Sequence, residues 1–369
     1  MNIRTRDEQH WHTREMLIDD KVACWLTVVD FDMRIGSALV RMAGIAGVET
    51  HHQHRMQGYM RVLFDDTLLY MQQAGYDVSM LFGIPNFYSK FGYAVVMAEQ
   101  RVTLQTRDAE LAGANAPPIT TRPVVESDLP AILQLYAQQN ATRTCSVIRP
   151  AKTFKAFRHG SSWNRHAESV VIEDSSGKFA GYAAWDKSDE TITVTEVECL
   201  DNGHYPGILG EFARQAIAKR CGQITFLLPQ DHSFAEFVQR CGCEWIIRHP
   251  RNAGGMMRII NQECLFEKIR PELARRIQES GLGQGSVSLT LHTDLGHTTL
   301  AFGAPNDNHV GDITLSQDKL MQLVVGYRSA SDVLNDPTVQ PHSTRFDFRL
   351  WLDILFPKGA PYTWVTDEF

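Results

Sequence analysis

The sequence predicts an α/β fold, more narrowly α+β, in which mixed sheets carry helices. Three observations lead to it. Short apolar or alternating runs recur between glycine, proline and asparagine, as strands do. Helical patterns, with apolar residues three and four apart, fall between those runs rather than in one block. The character of the chain also shifts near Pro117 and near Gln262, dividing 369 residues into three segments, more than one ordinary core would use.

The first segment, 1–117, holds two extended runs, "VVDFDMRI" and "LVRMAGIAGVET", which read as neighbouring strands. After Gly58, apolar residues at Met60, Leu63, Phe64, Leu68 and Met71 mark one face of a helix that Gly75 stops. A strand over 78–82 breaks at "GIPN". One helical turn then carries Phe87, Tyr88 and Phe91, and Gly92 releases the chain into a strand at "YAVV". Phe91 and Tyr93 read as core. "RDAELAGANAPP" reads as a loop-like separator.

The second segment, 118–261, opens with a short strand and a helix capped near Ser127 or Asp128, with Leu129, Ile132, Leu133 and Leu135 on its apolar side. Strands at "SVVIED", "FAGYAAWD" and "TITVTEVECL" form an antiparallel meander, followed by a helix through "LGEFARQAIAKR" and a strand at "QITFLLP". The third segment, 262–369, begins with the helix "RPELARRIQESG". "SVSLTLHTD" and "HTTLAFG" follow it, alternating as half-buried strands do, so a small α+β domain is expected.

Composition narrows the functional classes. With 43% hydrophobic and 21% charged residues the chain is a folded protein, not a disordered one. A net charge of −7 argues against wholesale nucleic-acid binding and is compatible with a cationic or amine substrate. Seven scattered cysteines suit free thiols in a reducing compartment, hence a cytoplasmic location. Cys241-Gly242-Cys243 lacks the spacing and the second pair of a zinc knuckle, so no metal is expected. No apolar run reaches the ~18 residues of a membrane span.

The chemistry centres on "HHQHRMQGYM", His51 to Met60. Glycine costs a helix about 1 kcal/mol, so Gly58 at a helix head suggests close approach to the backbone. Strand, loop, glycine and helix together make an anion site: free N–H groups point outward, the macrodipole favours negative charge, and Arg55 adds a full positive one. A pyrophosphate would fit. His51, His52 and His54 lie beside it. One loop supplying three metal ligands without a carboxylate is unusual, so they read as solvated histidines near a phosphate site.

"VETHHQHRMQGYM" resembles motif A of the GNAT superfamily of N-acetyltransferases: Arg or Gln, two residues, then Gly-x-Gly/Ala after a strand. "NFYSKFGY" is similar to the Tyr-x-x-Phe-Gly-Tyr signature that follows it in one subfamily. The three-part order and the ending Glu368-Phe369 resemble the enhanced intracellular survival (Eis) proteins, with two GNAT-like mixed-sheet domains and a sterol-carrier-protein-like C-terminal domain. That resemblance implies an acetyl-CoA-dependent transferase acting on a small-molecule amine or a peptide lysine, in a homo-oligomer, a hexamer in similar proteins.

It also implies roles for particular residues. Val48, Thr50, Arg55, Met56, Gln57, Gly58, Tyr59 and Met60 would hold coenzyme A, Gly58 because a side chain would crowd the pyrophosphate. Tyr88 would be the general acid, Phe369 would supply a terminal carboxylate as proton acceptor, and Glu368 would hold the cationic acceptor. Three departures accompany the likeness. Met60 replaces a small residue. The second segment has no Arg-x-x-Gly loop, since "NGHYPGILGEF" carries glycines but no matching arginine, so that domain is expected to be catalytically silent. The first domain looks N-terminally shortened, with no counterpart of the family's first strand and helix before "EQHWHTREML". The competing function is a non-catalytic protein that binds an apolar ligand in its C-terminal domain and uses the GNAT-like domains as scaffold.

Overall fold

The computed structural model describes residues 2–282, 287–303, 309–343 and 345–369. The chain opens with β1 (Asn2–Glu8), β2 (Trp11–Ile18), β3 (Lys21–Ile35) and β4 (Ala38–Thr50). There follow α1 (Tyr59–Gln73), β5 (Val78–Gly83), β6 (Ala94–Val95), β7 (Glu99–Gln105) and α2 (Thr106–Gly113). The middle holds β8 (Thr120–Pro123), α3 (Leu129–Gln139), β9 (Ala167–Glu173), β10 (Phe179–Asp186), β11 (Ile192–Cys199), α4 (Tyr205–Ala218), β12 (Gln223–Phe226), α5 (Ser233–Gln239), β13 (Cys243–Arg248) and β14 (Gly254–Ile259). Last come α6 (Gln262–Glu279), β15 (Val287–Thr293), β16 (Gly296–Phe302), β17 (His309–Thr314), α7 (Gln317–Val324), α8 (Ala330–Leu334), β18 (Gln340–His342) and α9 (Phe348–Leu355).

The first sheet has the order β1-β2-β3-β4-β5-β14-β6. Its first four strands are an antiparallel meander, turned at Asp19 and Asp20 by two residues with positive φ and at Gly36 by a left-handed glycine. Among the described residues no α-helix precedes α1. β4 and β5 are parallel, paired at Met42 with Val78, Ala43 with Ser79 and Gly44 with Met80, and beyond Gly44 they part. Helix α1 buries Leu63, Phe64 and Met71 on one face, against Met16, Leu26, Val28 and Leu81. On the opposite face Met33, Val40, Met42 and Met80 join the core formed with α6 and the third segment.

The second sheet runs β13-β7-β12-β11-β10-β9-β8, with β11 parallel to β12 and α4 buried against it through Leu209 and Phe212. Sheet membership crosses the chain divisions suggested by composition. β7 pairs with β12 and β13 of the second sheet, while β14 pairs with β5 and β6 of the first. The expected loop at Arg107–Pro118 is corrected: most of it is α2. Its alanines and leucine are good helix formers, and Gly113 lets the helix lie directly on Gly210 of α4. The glycines of "NGHYPGILGEF" therefore serve packing, Gly207 lying against Pro117 and Gly210 against Gly113.

The third sheet has the order β16-β15-β17-β18, and its buried residues are continuous with the core under the first sheet. One buried carboxylate fastens it there. Glu272 of α6 accepts from Ser37 Oγ (2.6 Å) and the Ser37 amide (3.2 Å) in the β3–β4 turn, and from Arg275 and Arg276. Burial raises its pKa, but the hydrogen bonds from Arg275 and Ser37 and the charge of Arg276 outweigh that and hold it at about 2. A group depressed on folding stabilises above its unfolded value, and the contribution is lost as pH falls through the folded one. Glu272→Gln is therefore expected to cost about 1.5–3 kcal/mol at neutral pH. The gap in melting temperature from the parent should close as pH is lowered from about 4.5 towards about 2. A gap independent of pH would remove the charge from this role.

Candidate active site

Three pieces converge on the place where β4 and β5 part. The first is the loop after β4. One 3-10 turn at His52–His54 leads through Arg55 and a left-handed Met56 (φ +61°) to Gly58 (φ +80°), the N-cap of α1. No side chain caps this helix, and the amides of Gly58, Tyr59 and Met60 have no hydrogen-bond acceptor among the described residues. A Cβ on Gly58 would meet nothing within 4 Å, so its positive φ is the reason the protein itself supplies for glycine. Val48, Tyr59 and Met60 pack against the core, whereas Arg55, Met56 and Gln57 are exposed. The Arg55 guanidinium donates to the Thr50 carbonyl (3.3 Å) and the Gln57 amide group to the Gln53 carbonyl (3.0 Å). His51 stacks its edge on Trp25, and His52 is exposed. Among the described residues no group of three metal-ligating side chains comes together.

The second piece is the turn Tyr88–Phe91, closed by Gly92 at φ +76°. Phe91 stacks on Phe64 of α1 (4.3 Å), and the Tyr93 hydroxyl donates to Ser79 Oγ (2.7 Å), so both are core. The Tyr88 ring is 8% exposed, packed among Phe64, Phe87 and Tyr93 and against Gly83, where a Cβ would come within 2.7 Å of it. Its hydroxyl has no hydrogen-bond partner among the described residues. Burial pushes its pKa up, so it holds its proton.

The chain terminus is the third piece. The Phe369 ring lies 5.0 Å from that of Phe31 and 5.7 Å from that of Phe82. It covers Gly44, where a Cβ would stand only 2.7 Å from it; Gly44 is also the last residue of β4 paired to β5. On either side of this tail lies a cavity. One, of about 760 Å³, is bounded by Gly83, Glu99, Arg101 and Tyr362; the other, of about 690 Å³, by Trp11, Phe154, Arg158 and Phe369. Phe82, Val365 and Glu368 are walls of both. The Glu368 carboxyl opens to the cavities yet has protein around it, and that burial, with the Glu99 carboxylate, pushes its pKa up to about 7.

What holds the tail was not foreseen from the sequence. Arg149, Glu196 and Asp367 form a buried charge cluster, and Gly44 makes room for the terminal ring. No local pattern marks them, because the partners are far apart in the chain.

Strand, uncapped helix and parted parallel strands can be set beside known proteins. Residues 7–96, which hold most of the first sheet and α1, match the family model described as acetyltransferase (GNAT) domain. No curated protein matches the chain in sequence.

Among solved structures the chain is similar to a probable N-acyltransferase from Enterococcus faecalis V583, with TM-score 0.74 and 17% identity over 98% of this chain and 90% of that one. It is similar to a GCN5-related N-acetyltransferase from Kribbella flavida, with TM-score 0.70 and 17% identity over 98% and 88%. Eis1 from Mycobacterium abscessus gives TM-score 0.66 and 14% identity over 98% and 91%. At these identities the likeness is one of fold, and it extends over nearly the whole chain.

Proposed function

We propose that the protein is an acetyl-CoA-dependent N-acetyltransferase, passing acetyl to a primary amine by direct attack on the thioester. One observation supports this most. Between an uncapped helix N-terminus and a buried, unpartnered tyrosine, β4 and β5 separate, and the Phe369 ring covers Gly44, the residue at which they part. The free amides of Gly58, Tyr59 and Met60, with Arg55 beside them, suit a pyrophosphate. Val48, Thr50, Met56 and Gln57 complete that wall. Acetyl-CoA supplies the acetyl group as an activated thioester.

The chain's own residues then orient the reactants and move protons. Tyr88 donates its proton to the departing thiolate, for which a hydroxyl held protonated by burial is suited. The carboxylate of Phe369 takes the proton of the amine, and Glu368, facing both cavities, holds a cationic acceptor. Holding the reactants together supplies much of the advantage, so no covalent enzyme intermediate is required. The acceptor is a small-molecule amine or a peptide lysine, and the same reading includes a homo-oligomer and a sterol-carrier-protein-like third domain.

Thermal unfolding with ligands tests this. Acetyl-CoA at ~100 times its dissociation constant is expected to stabilise the protein by about 2.7 kcal/mol. Stabilisation by a fatty acid or sterol and none by acetyl-CoA would favour an apolar-ligand carrier instead.

Gly58→Glu is the sharper probe. It places a side chain at φ +80°, a strain of about 1–2 kcal/mol at an exposed position, so the fold persists. The added charge should abolish the acetyl-CoA-induced stabilisation, while Gly58→Ala, equally strained but uncharged, should retain part of it. Unchanged affinity of Gly58→Glu by titration calorimetry would place the pyrophosphate elsewhere.

A further inference from the structure

We infer that Arg149 and Asp367 are positioning residues, through which the second sheet's unit anchors the chain terminus and sets where Glu368 and Phe369 stand. The inference rests on the proposed acetyl transfer for its kinetic consequence, not for the anchoring itself. Arg149 has 2% of its side chain exposed. It donates through both terminal nitrogens to Glu196 of β11 (2.8 and 2.6 Å), and through Nε and Nη2 to Asp367 (2.7 and 3.0 Å). Nη2 also reaches Thr366 Oγ1 (3.0 Å), and the guanidinium lies 3.7 Å over the ring of Tyr136.

Two carboxylates face one cation, and hydroxyls serve them. Tyr182 and Thr366 each donate to Glu196 (both 2.6 Å), and Tyr136 to Asp367 (3.0 Å). Every partner other than Thr366 and Asp367 belongs to the middle of the chain. Such a buried cluster contributes little net stability against an apolar replacement, yet it admits only one arrangement of the forked guanidinium and its acceptors. Further hydrogen bonds hold the approach to it: Thr363 Oγ1 donates to the Cys145 carbonyl (2.8 Å) and Trp364 Nε1 to Asn140 Oδ1 (2.9 Å).

The clamp's place in the chain gives it its consequence. Phe369 stands two residues beyond Asp367, and two extended residues span at most about 7 Å. A fixed Asp367 therefore confines Phe369 to the neighbourhood of Gly44, where β4 and β5 part. In the second sheet Asp201 caps the short turn at Asn202–His204 that leads into α4, accepting from the Gly203 amide (2.8 Å), and the glycines of α4 are taken up in packing. Holding the terminus is what this unit contributes to the site.

Asp367→Asn tests the anchor, since it keeps the shape and removes one charge; Thr366→Val is the second variant. Replacing Arg149 is avoided because it would strand Glu196 as an unpaired buried charge. The first measurement is release of Phe369 by carboxypeptidase A from the full chain, followed by amino-acid analysis. Release is expected to be about tenfold faster from Asp367→Asn than from the parent, the equivalent of one charge-assisted hydrogen bond. The second is kinetic: kcat should fall by about tenfold or more while the acetyl-CoA dissociation constant stays within about twofold.

A purely structural cluster would lower the melting temperature and leave both release and the kcat-to-affinity pattern unmoved, and that result overturns the inference. If the parent acetylates no amine, the proposed activity fails while the protease comparison still decides the anchor. Equal release from parent and variants overturns the anchor even where acetylation is robust.

Discussion

Tyr88→Phe is expected to lower turnover by about 10²–10⁴-fold while leaving acetyl-CoA affinity near that of the parent. The ring is already held by Phe64, Phe87 and Tyr93 and pressed against Gly83, so removing the hydroxyl leaves the packing as it was. That hydroxyl bonds to no other described residue, so no buried partner is orphaned by the change. The expected loss is therefore confined to the proton that the leaving thiolate needs. Steady-state kinetics paired with a direct binding measurement separate the two effects. Turnover within about a factor of two of the parent would take Tyr88 out of the mechanism.

The second large effect is expected at the chain's end. Deleting Phe369 removes the ring over Gly44 and draws the terminal carboxylate back to Glu368; extending the chain by a few glycines leaves the ring and moves only the carboxylate. Both variants should bind acetyl-CoA and lose most acetyl transfer, by a factor on the order of 10² or more if the group acts as proton acceptor. An α-carboxylate is intrinsically a weak base, with a reference pKa near 3.5, so its surroundings must raise its effectiveness. Full activity of the extended chain, measured as thiol release, would exclude the carboxylate and leave Phe369 as packing.

Local signals carried most of the fold into view. The helix after Gly58, the meander over β9 to β11 and the turn at Tyr88 each lie within one contiguous stretch, where apolar spacing and glycine placement report directly on backbone shape. α2 was hidden because its glycine and alanines, read as loop punctuation, are used for close helix contact with α4. Strand partnership was hidden for a different reason: a run such as Gly254–Ile259 looks the same whichever sheet receives it. The charge cluster around Arg149 was least legible, since Arg149, Glu196 and Asp367 become neighbours only through tertiary packing and none lies in a motif. The same holds for Ser37 and Glu272.

The insertion of β14 between β5 and β6 also governs how the protein can be made. During synthesis the free edge of β5 leaves the ribosome long before its partner Gly254–Ile259 exists, a delay on the order of 10 to 40 s at ordinary elongation rates. Through that interval the nascent first sheet presents an unpaired edge of apolar residues, Val78, Met80 and Leu81 among them, of the kind that invites intermolecular pairing. A chain stopped short of Gly254 is expected to aggregate, and co-expression of the missing C-terminal piece to restore soluble material. A soluble, monomeric N-terminal fragment would show that the first sheet closes without its late strand. Until residues from the second half of the chain arrive, that edge of the nascent first sheet has no strand partner.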